Sequence, residues 1–339
     1  MNPPKLDAED YIQWLIASPL DASACEAARC SRPHIAHDAY TRLLERLEPS
    51  PDNLWDEVRH LIDINRGMLV VDDSTLDKPY AKHIELVSRH WSGKHHSVVQ
   101  GINLISLVWT DGDIAIPIDW RVFHKANDGL SKNDHLRQML ETARQRGFSP
   151  QCVLWDSWYS ALDNLKMLRS WGWRFFVGLR SNRQMNTDAC GNRAISELDW
   201  SQGEGQRAHL RGFGWVQAHR CLHGPGNKTR YFISSEDVQL DEAQVQQKRE
   251  EAQKIEDYHR GLKRRPPCGG GECNIERCQA RGARKQRNHI GMAIRAFVRL
   301  EWHRYKSGVS RHASKRMVLR HAIRAYLNAP SFILQTPTA

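Results

Sequence analysis

The chain is predicted to be a mixed α/β fold: a central sheet with helices, a β-rich insertion and a helical N-terminal segment. Three observations predict it. Gly67 to Asp73 (GMLVVDD) is a short, nearly continuous apolar run ending in two acids, the pattern of a strand buried on both faces. Val98–Trp109 and Ile114–Phe123 are rich in β-branched and aromatic residues, and the Asp-Gly of Thr110-Asp111-Gly112-Asp113 between them signals a tight hairpin. Cys152–Asp156 (CVLWD) and Trp173–Leu179 (WRFFVGL) are two further apolar runs, each preceded by a helical pattern, as crossover connections require.

Taken in order, residues 1–66 read as a helical segment. Ile35, Ala39, Leu43 and Leu47 repeat every four residues, and Leu54, Val58, Leu61 and Ile62 form a second stripe beyond Pro49 and Pro51. Residues 67–180 form the first part of a core, with three antiparallel strands, then helix, strand, helix, strand. Ser131 with Asp134 makes a capping box for the first of these helices, whose apolar face is Leu136, Met139, Leu140 and Ala143, and Gly147 closes it. The second carries Ala161, Leu165 and Leu168 and stops at Gly172. From 181 to 238 short strands alternate with Gly-rich turns, the β-rich insertion. Residues 239–329 are helical and basic, and 330–339 form a tail.

Composition narrows the function. The 339 residues are 40% apolar and 26% charged, which suits a packed globular chain, and the net charge is +10. Such a charge points first to nucleic acid and second to anionic membranes. A membrane span is not expected, because the most apolar stretch, Ile102–Trp109, is far too short. Acids crowd the first ten residues, which do not read as a signal peptide, so a cytoplasmic protein is expected. None of the eight cysteines forms a Cys-x-x-Cys pair. Cys268, Cys273 and Cys278 are evenly spaced but lack the paired spacing of structural zinc sites, so reduced thiols are expected.

Two acids, Asp73 and Asp156, close apolar strands, and sites in such sheets gather beyond the strands' carboxyl ends. Either aspartate alone is equally well explained as the cap of the turn that follows. A third acid comes from AQKIEDYHRGLKRR (252–265), where Ala252, Ile255, His259 and Leu262 form the stripe that faces the sheet. Glu256 and Lys263, seven residues apart, point the same way; Glu256 with Arg260 also fits an ordinary exposed i,i+4 pair. Three carboxylates gathered at one place repel unless cations separate them, and oxygen ligands alone select Mg²⁺ or Mn²⁺ over zinc.

VVDDST (70–75), VLWDSWYS (153–160) and IEDYHRGLK (255–263), followed by the basic run 275–301, resemble the insertion-sequence DDE transposases, within the branch of DDE superfamily endonucleases. The resemblance covers roughly residues 30 to 305 and is most specific at the third motif. It implies a ribonuclease-H-like core with a β insertion between the second and third carboxylates. It also implies that Asp73, Asp156 and Glu256 bind two Mg²⁺ ions, with Mn²⁺ possible, and that Tyr159 and Lys263 stand at their expected places. Asp72 is the rival to Asp73, since alternation along a strand lets only one of them face a site. Two features depart from the pattern: Ala252 replaces an arginine common in the family, and PPCGGGEC (266–273) interrupts the basic segment. The implied activity is cutting and joining of element ends. The implied partners are double-stranded DNA, as terminal inverted repeats and target, and a second copy of the chain, forming a homodimer on DNA.

Between Arg260 and Arg324 there are 18 Lys and Arg against 3 acids, more positive charge than the whole chain's +10. Within 290–305, Ile290, Ile294, Phe297 and Tyr305 make a core stripe, and Arg295, Arg299 and His303 another face. Arg260, Lys263, Arg295 and Arg299 are therefore the expected DNA contacts. Two rival functions remain at this stage: a domesticated or decayed DNA-binding protein without cleavage, and a ribonuclease-H-like nuclease acting without strand transfer.

Overall fold

The computed structural model describes residues 4–18, 23–31, 35–92, 96–188, 191–201, 205–223, 228–263 and 272–331. Most of PPCGGGEC, including Cys268, and nearly all of the tail lie outside that set. The chain divides into two compact units. One comprises Met1–Pro49, His83–Glu85 and Arg260–Ala339, and the other Ser50–Lys82 and Leu86–His259.

The second unit holds the sheet. Its strands are β1 (Met68–Asp77), β2 (Ser88–Ser92), β3 (Ser97–Thr110), β4 (Ala115–Phe123), β5 (Cys152–Trp155) and β6 (Phe175–Leu179), followed by β7 (Gln184–Asn186), β8 (Arg193–Ala194), β9 (Gly205–Leu210), β10 (Gly214–His223) and β11 (Lys228–Ser235). They hydrogen-bond in the order β2-β3-β1-β5-β6-β11-β10-β9-β7-β8, with β4 also on β3. β1 runs antiparallel to β3 and parallel to β5, and β5 is parallel to β6. The sheet is mixed, as expected. Leu69, Val70, Val71, Val153, Leu154 and Val177 at its centre are buried, which is why these strands show no alternation in sequence. Gly67 opens β1 at φ +75°, and a Cβ there would stand 2.6 Å from the Thr110 carbonyl, so the close start of the β1–β3 pair depends on glycine.

Three features differ from the expectations. β2, an edge strand, was not foreseen, because SRHWS carries no apolar alternation. β1 does not stop at Asp73; it continues to Asp77, paired with β3 as far as Gly101. The segment read as a β-rich insertion runs on into the same sheet, a continuity not foreseen, since β11 pairs antiparallel with β6.

The helices of this unit are α4 (Asp52–Val58), α5 (Lys125–Asp128), α6 (Lys132–Gln145), α7 (Leu162–Ser170) and most of α8 (Glu242–Leu262). The Ser131–Asp134 capping box is present, and His135, Leu136, Met139, Leu140 and Ala143 are buried beneath α6. On α8 the buried residues include Ile255, Tyr258, His259 and Leu262, while Ala252 is only partly covered.

The first unit is helical: α1 (Ala8–Ala17), α2 (Ala24–Arg29), α3 (His37–Arg46), α9 (Ala283–Ser307) and α10 (Arg311–Asn328). α9 is buried along most of its length, including Ile290, Ile294 and Phe297, but Tyr305 is exposed, so the expected stripe ends one turn early. α10 has no buried residue. Cys273 and Cys278 are buried.

Candidate active site

β1 outruns its parallel neighbour, and that mismatch builds the site. The β1–β5 register ends at Val71 opposite Trp155. One step further, Asp72 and Asp156 come level, and in a parallel pair level residues point to the same face. α8 covers that face. Lys248 Nζ donates to Met68 Sδ at 3.3 Å, Ser106 Oγ donates to Tyr258 Oη at 3.3 Å, and Ser106 is the cross-strand partner of Asp72. His259 Nδ1 lies 3.8 Å from Asp72 Oδ2. Asp72, Asp156 and Glu256 thus line one cleft of about 870 Å³, together with Trp155, Gln253 and Asp257.

Asp73 points the other way. Its carboxylate accepts from Lys132 Nζ at 2.7 Å, Asn103 Nδ2 at 2.7 Å and Tyr159 Oη at 2.9 Å. Burial works to raise its pKa, but the Lys132 charge and the three hydrogen bonds outweigh burial and hold it below the usual carboxylate range. Asp72 is the reverse case. Burial first, then the charges of Asp73, Asp156 and Glu256, push its carboxyl well above that range. Asp156 keeps an exposed side chain and is also raised, by the protein crowded around it and by the Asp73 charge, against the opposing bond from the Trp158 amide. Tyr159, buried beside both β1 aspartates, is held as the phenol and so as a donor to Asp73.

The loop carrying Asp156 is held at three successive residues, Trp158, Tyr159 and Ser160. Trp158 N donates to Asp156 Oδ1 at 2.9 Å, Tyr159 is tied to Asp73, and Ser160 Oγ donates to the Gly178 carbonyl and accepts from Trp155 Nε1 at 3.1 Å. Gly178 lets this loop lie flat on β6: a Cβ there would meet Ser157 N at 2.8 Å and the Asp156 carbonyl carbon at 3.2 Å.

Of the residues expected from sequence, Asp156 and Glu256 line the cleft together with Asp72, the rival to Asp73, while the Asp73 carboxylate is engaged by Asn103, Lys132 and Tyr159. The physical reason is the register: the odd-numbered face of β1 looks towards Asn103, Lys132 and Tyr159. Glu256 is exposed and accepts from Gln253 Nε2 at 2.8 Å. Among the described residues no three His, Cys, Asp or Glu side chains stand close enough together to hold a metal ion. Sequence reasoning missed Asn103, Lys132 and Tyr258. Asn103 is a polar break in an apolar strand, a signal that was available.

The expected DNA contacts fare unevenly. Arg260 is exposed near the end of α8, and Lys263 is half-buried just beyond it. Arg295 is half-buried. Arg299 is committed to Glu9 at 2.5 Å, and that bond is the main reason the Glu9 carboxyl falls to about 2.

The sequence profile of the family described as DDE superfamily endonuclease matches residues 6–214, a span that ends before Glu256. No curated protein matches the chain. Among solved structures, that described as the piggyBac transposase synaptic complex with hairpin DNA aligns with 98% of this chain and 77% of the other, at a TM-score of 0.50 and 12% identity. The Marinitoga piezophila Argonaute in complex with 5′ OH guide RNA and target DNA aligns with 66% of this chain and 31% of its own, at a TM-score of 0.24 and 10% identity. The first is a likeness of fold; the second is too slight to carry weight.

Proposed function

The chain belongs to the family of DDE superfamily endonucleases, and from that premise we propose that it is a DNA transposase of the insertion-sequence type, cutting and joining element ends with Asp72, Asp156 and Glu256. The observation that carries this reading is the cleft those three carboxylates line, where burial first and then its acidic neighbours raise the Asp72 carboxyl above the usual carboxylate range. Acids gathered at one place repel as they ionise, and a bound cation would relieve that repulsion.

By its chemistry the all-oxygen donor set suits a hard divalent ion, Mg²⁺ or Mn²⁺, although the three side chains must draw together to bind one. Asp72, Asp156 and Glu256 would hold it, Glu256 exchanging its bond from Gln253 for the ion. Bound there, divalent ions supply the Lewis acidity that activates an attacking oxygen and stabilises a leaving one. Asp73 then serves as a positioning group: it fixes Lys132 and Tyr159 and so holds β1 and the Asp156 loop in register.

The DNA is double-stranded and contacted by exposed cations. Arg260 qualifies, and so do Arg316, Arg320 and Arg324, which recur every four residues on exposed α10 and, among the described residues, have no carboxylate partner. Lys263 and Arg295 are proposed as secondary contacts, and Arg299 is set aside because Glu9 occupies it. Action at paired ends implies a homodimer on DNA. No helix among the described residues is long and apolar enough to cross a membrane, and we place the activity in the cytoplasm, on the nucleoid.

The test is nicking of supercoiled plasmid carrying the element's ends, with Mg²⁺, Mn²⁺ or EDTA. Wild type is expected to nick with either metal and not in EDTA. Asp72→Asn, Asp156→Asn and Glu256→Gln are each expected to lose at least about a hundredfold in rate. Nicking that survives Glu256→Gln contradicts the assignment.

A further inference from the structure

The loop that presents Asp156 also presents an aromatic ring. Trp158 is 54% exposed. One exposed tryptophan means little by itself, since much of any protein surface is apolar. Here its backbone is fixed by the bond from its own amide to Asp156 Oδ1 at 2.9 Å and by the anchored residues Tyr159 and Ser160 on its C-terminal side. The ring's exposure is therefore built in, at a set distance from a carboxylate of the cleft.

Cations surround it. Lys132 Nζ lies 5.6 Å from the ring centroid and the Arg180 guanidinium 5.4 Å. Lys132 is tied to Asp73, but Arg180 is exposed, and among the described residues it has no carboxylate partner. Arg183 is close enough to Arg180 for that charge to add to burial in lowering its pKa, and it too has no carboxylate among the described residues. Two arginines side by side without an acid are repulsive in the free protein and become favourable when an anion joins them. Apolar protein partners offer nothing to them, and an acidic peptide offers nothing to the ring. A strand of nucleic acid offers both an aromatic base and a phosphate at adjoining positions.

We propose that Trp158 is a stacking platform for an unpaired nucleobase next to the phosphate that enters the cleft, with Arg180 and Arg183 holding a flanking phosphate. The inference rests on the nucleic-acid reading above and adds where the strand is gripped. The base takes the ring face now shared with Arg180, because stacking of a base on an aromatic ring is worth more than an exposed cation–π contact. Arg180 then turns to the neighbouring phosphate, where it makes the charge-assisted bonds it lacks at present.

The experiment uses the full chain with Ca²⁺ in place of a catalytic ion and two DNA probes: a blunt duplex, and a forked duplex whose single-stranded arm carries 2-aminopurine. With 12 tryptophans the protein's own emission is uninformative, whereas stacking on an indole quenches 2-aminopurine. Binding is read by anisotropy and stacking by the probe's fluorescence. Wild type is expected to bind the fork about tenfold more tightly than the blunt duplex and to quench the probe severalfold; a fold-preference of that size matches one stacked base. Trp158→Ala is expected to lose both the preference and the quenching, and Trp158→Phe to keep most of the preference. The double variant Arg180→Ala/Arg183→Ala is expected to weaken fork binding about tenfold while quenching persists at saturation. If Trp158→Ala quenches and discriminates as wild type does, the platform is disproved while DNA binding stands. If wild type binds neither probe, the transposase reading fails with it.

Discussion

Asp73 accepts three hydrogen bonds, the one from Lys132 being also an ion pair, so replacing it leaves Lys132, Asn103 and Tyr159 with a weaker acceptor. Asp73→Asn is expected to cost on the order of 2 kcal/mol of stability and to lower the melting temperature at pH 7. Asp72→Asn is expected to do the opposite in metal-free buffer. Its folded pKa is raised, so the ionised form becomes a liability as pH rises above the ordinary carboxylate range, and an amide removes it. Thermal melts of both variants in EDTA at pH 8 check this; a shared direction of shift would refute the division of roles. His219, buried on β10 against Ser234 Oγ at 3.0 Å, gives a separate pH signature. Burial pushes its pKa from 6.5 to about 4. The stabilisation from its neutral ring is complete above pH 6.5 and is lost as pH falls towards 4, on the order of 3 kcal/mol in all. Urea midpoints across that range are expected to fall for wild type and to flatten for His219→Gln. None of this was legible in the residues alone. Leu69, Val70 and Val71 are buried on both faces, so no alternation survives to say which of the two adjacent aspartates faces the cleft.

The Asp156 loop and β6 depend on one missing side chain. Gly178→Ala puts a carbon against Ser157 N at 2.8 Å, and backbone on both sides leaves little room to yield. The expected cost is about 2 kcal/mol, with nicking reduced at least about tenfold, because the loop holds Asp156 as well as Trp158. Stability by urea and rate by plasmid nicking read the two effects separately; an unchanged rate would mean that the loop's seating does not matter to the site. Much of this layer could be read in advance. The Ser131–Asp134 box, the Asp-Gly hairpin and the apolar runs of β5 and β6 fall where local chemistry sets them. The continuation of β1 to Asp77 was hidden because DDSTLD has no apolar pattern; β3 supplies its pairing from a distance in the chain. The strands after 181 carried strand signals, but nothing in them announced that β11 returns to β6.

The basic C-terminal region shows where counting charges along a chain goes astray. Few acids lie between residues 260 and 324, yet Arg284, Lys285 and Arg299 pair with Glu48, Glu45 and Glu9 from the N-terminal helices. Partners distant in sequence neutralise part of the run, and the exposed excess falls on α10. The triple variant Arg316→Ala/Arg320→Ala/Arg324→Ala is expected to weaken duplex binding and to reduce the slope of log affinity against log salt by about 2 to 3. An unchanged slope in salt-titrated anisotropy would remove α10 from the interface. Beneath all of this lies the claim that Asp72, Asp156 and Glu256 together hold a divalent cation. Mn²⁺ titration of the DNA-free protein, followed by electron paramagnetic resonance, tests it with no assumption about sequence preference or target. Wild type and Asp73→Asn are expected to take up Mn²⁺, and Asp72→Asn, Asp156→Asn and Glu256→Gln each to weaken it at least about tenfold. Uptake unaffected by the Asp72 and Glu256 substitutions, or lost only with Asp73, would contradict it.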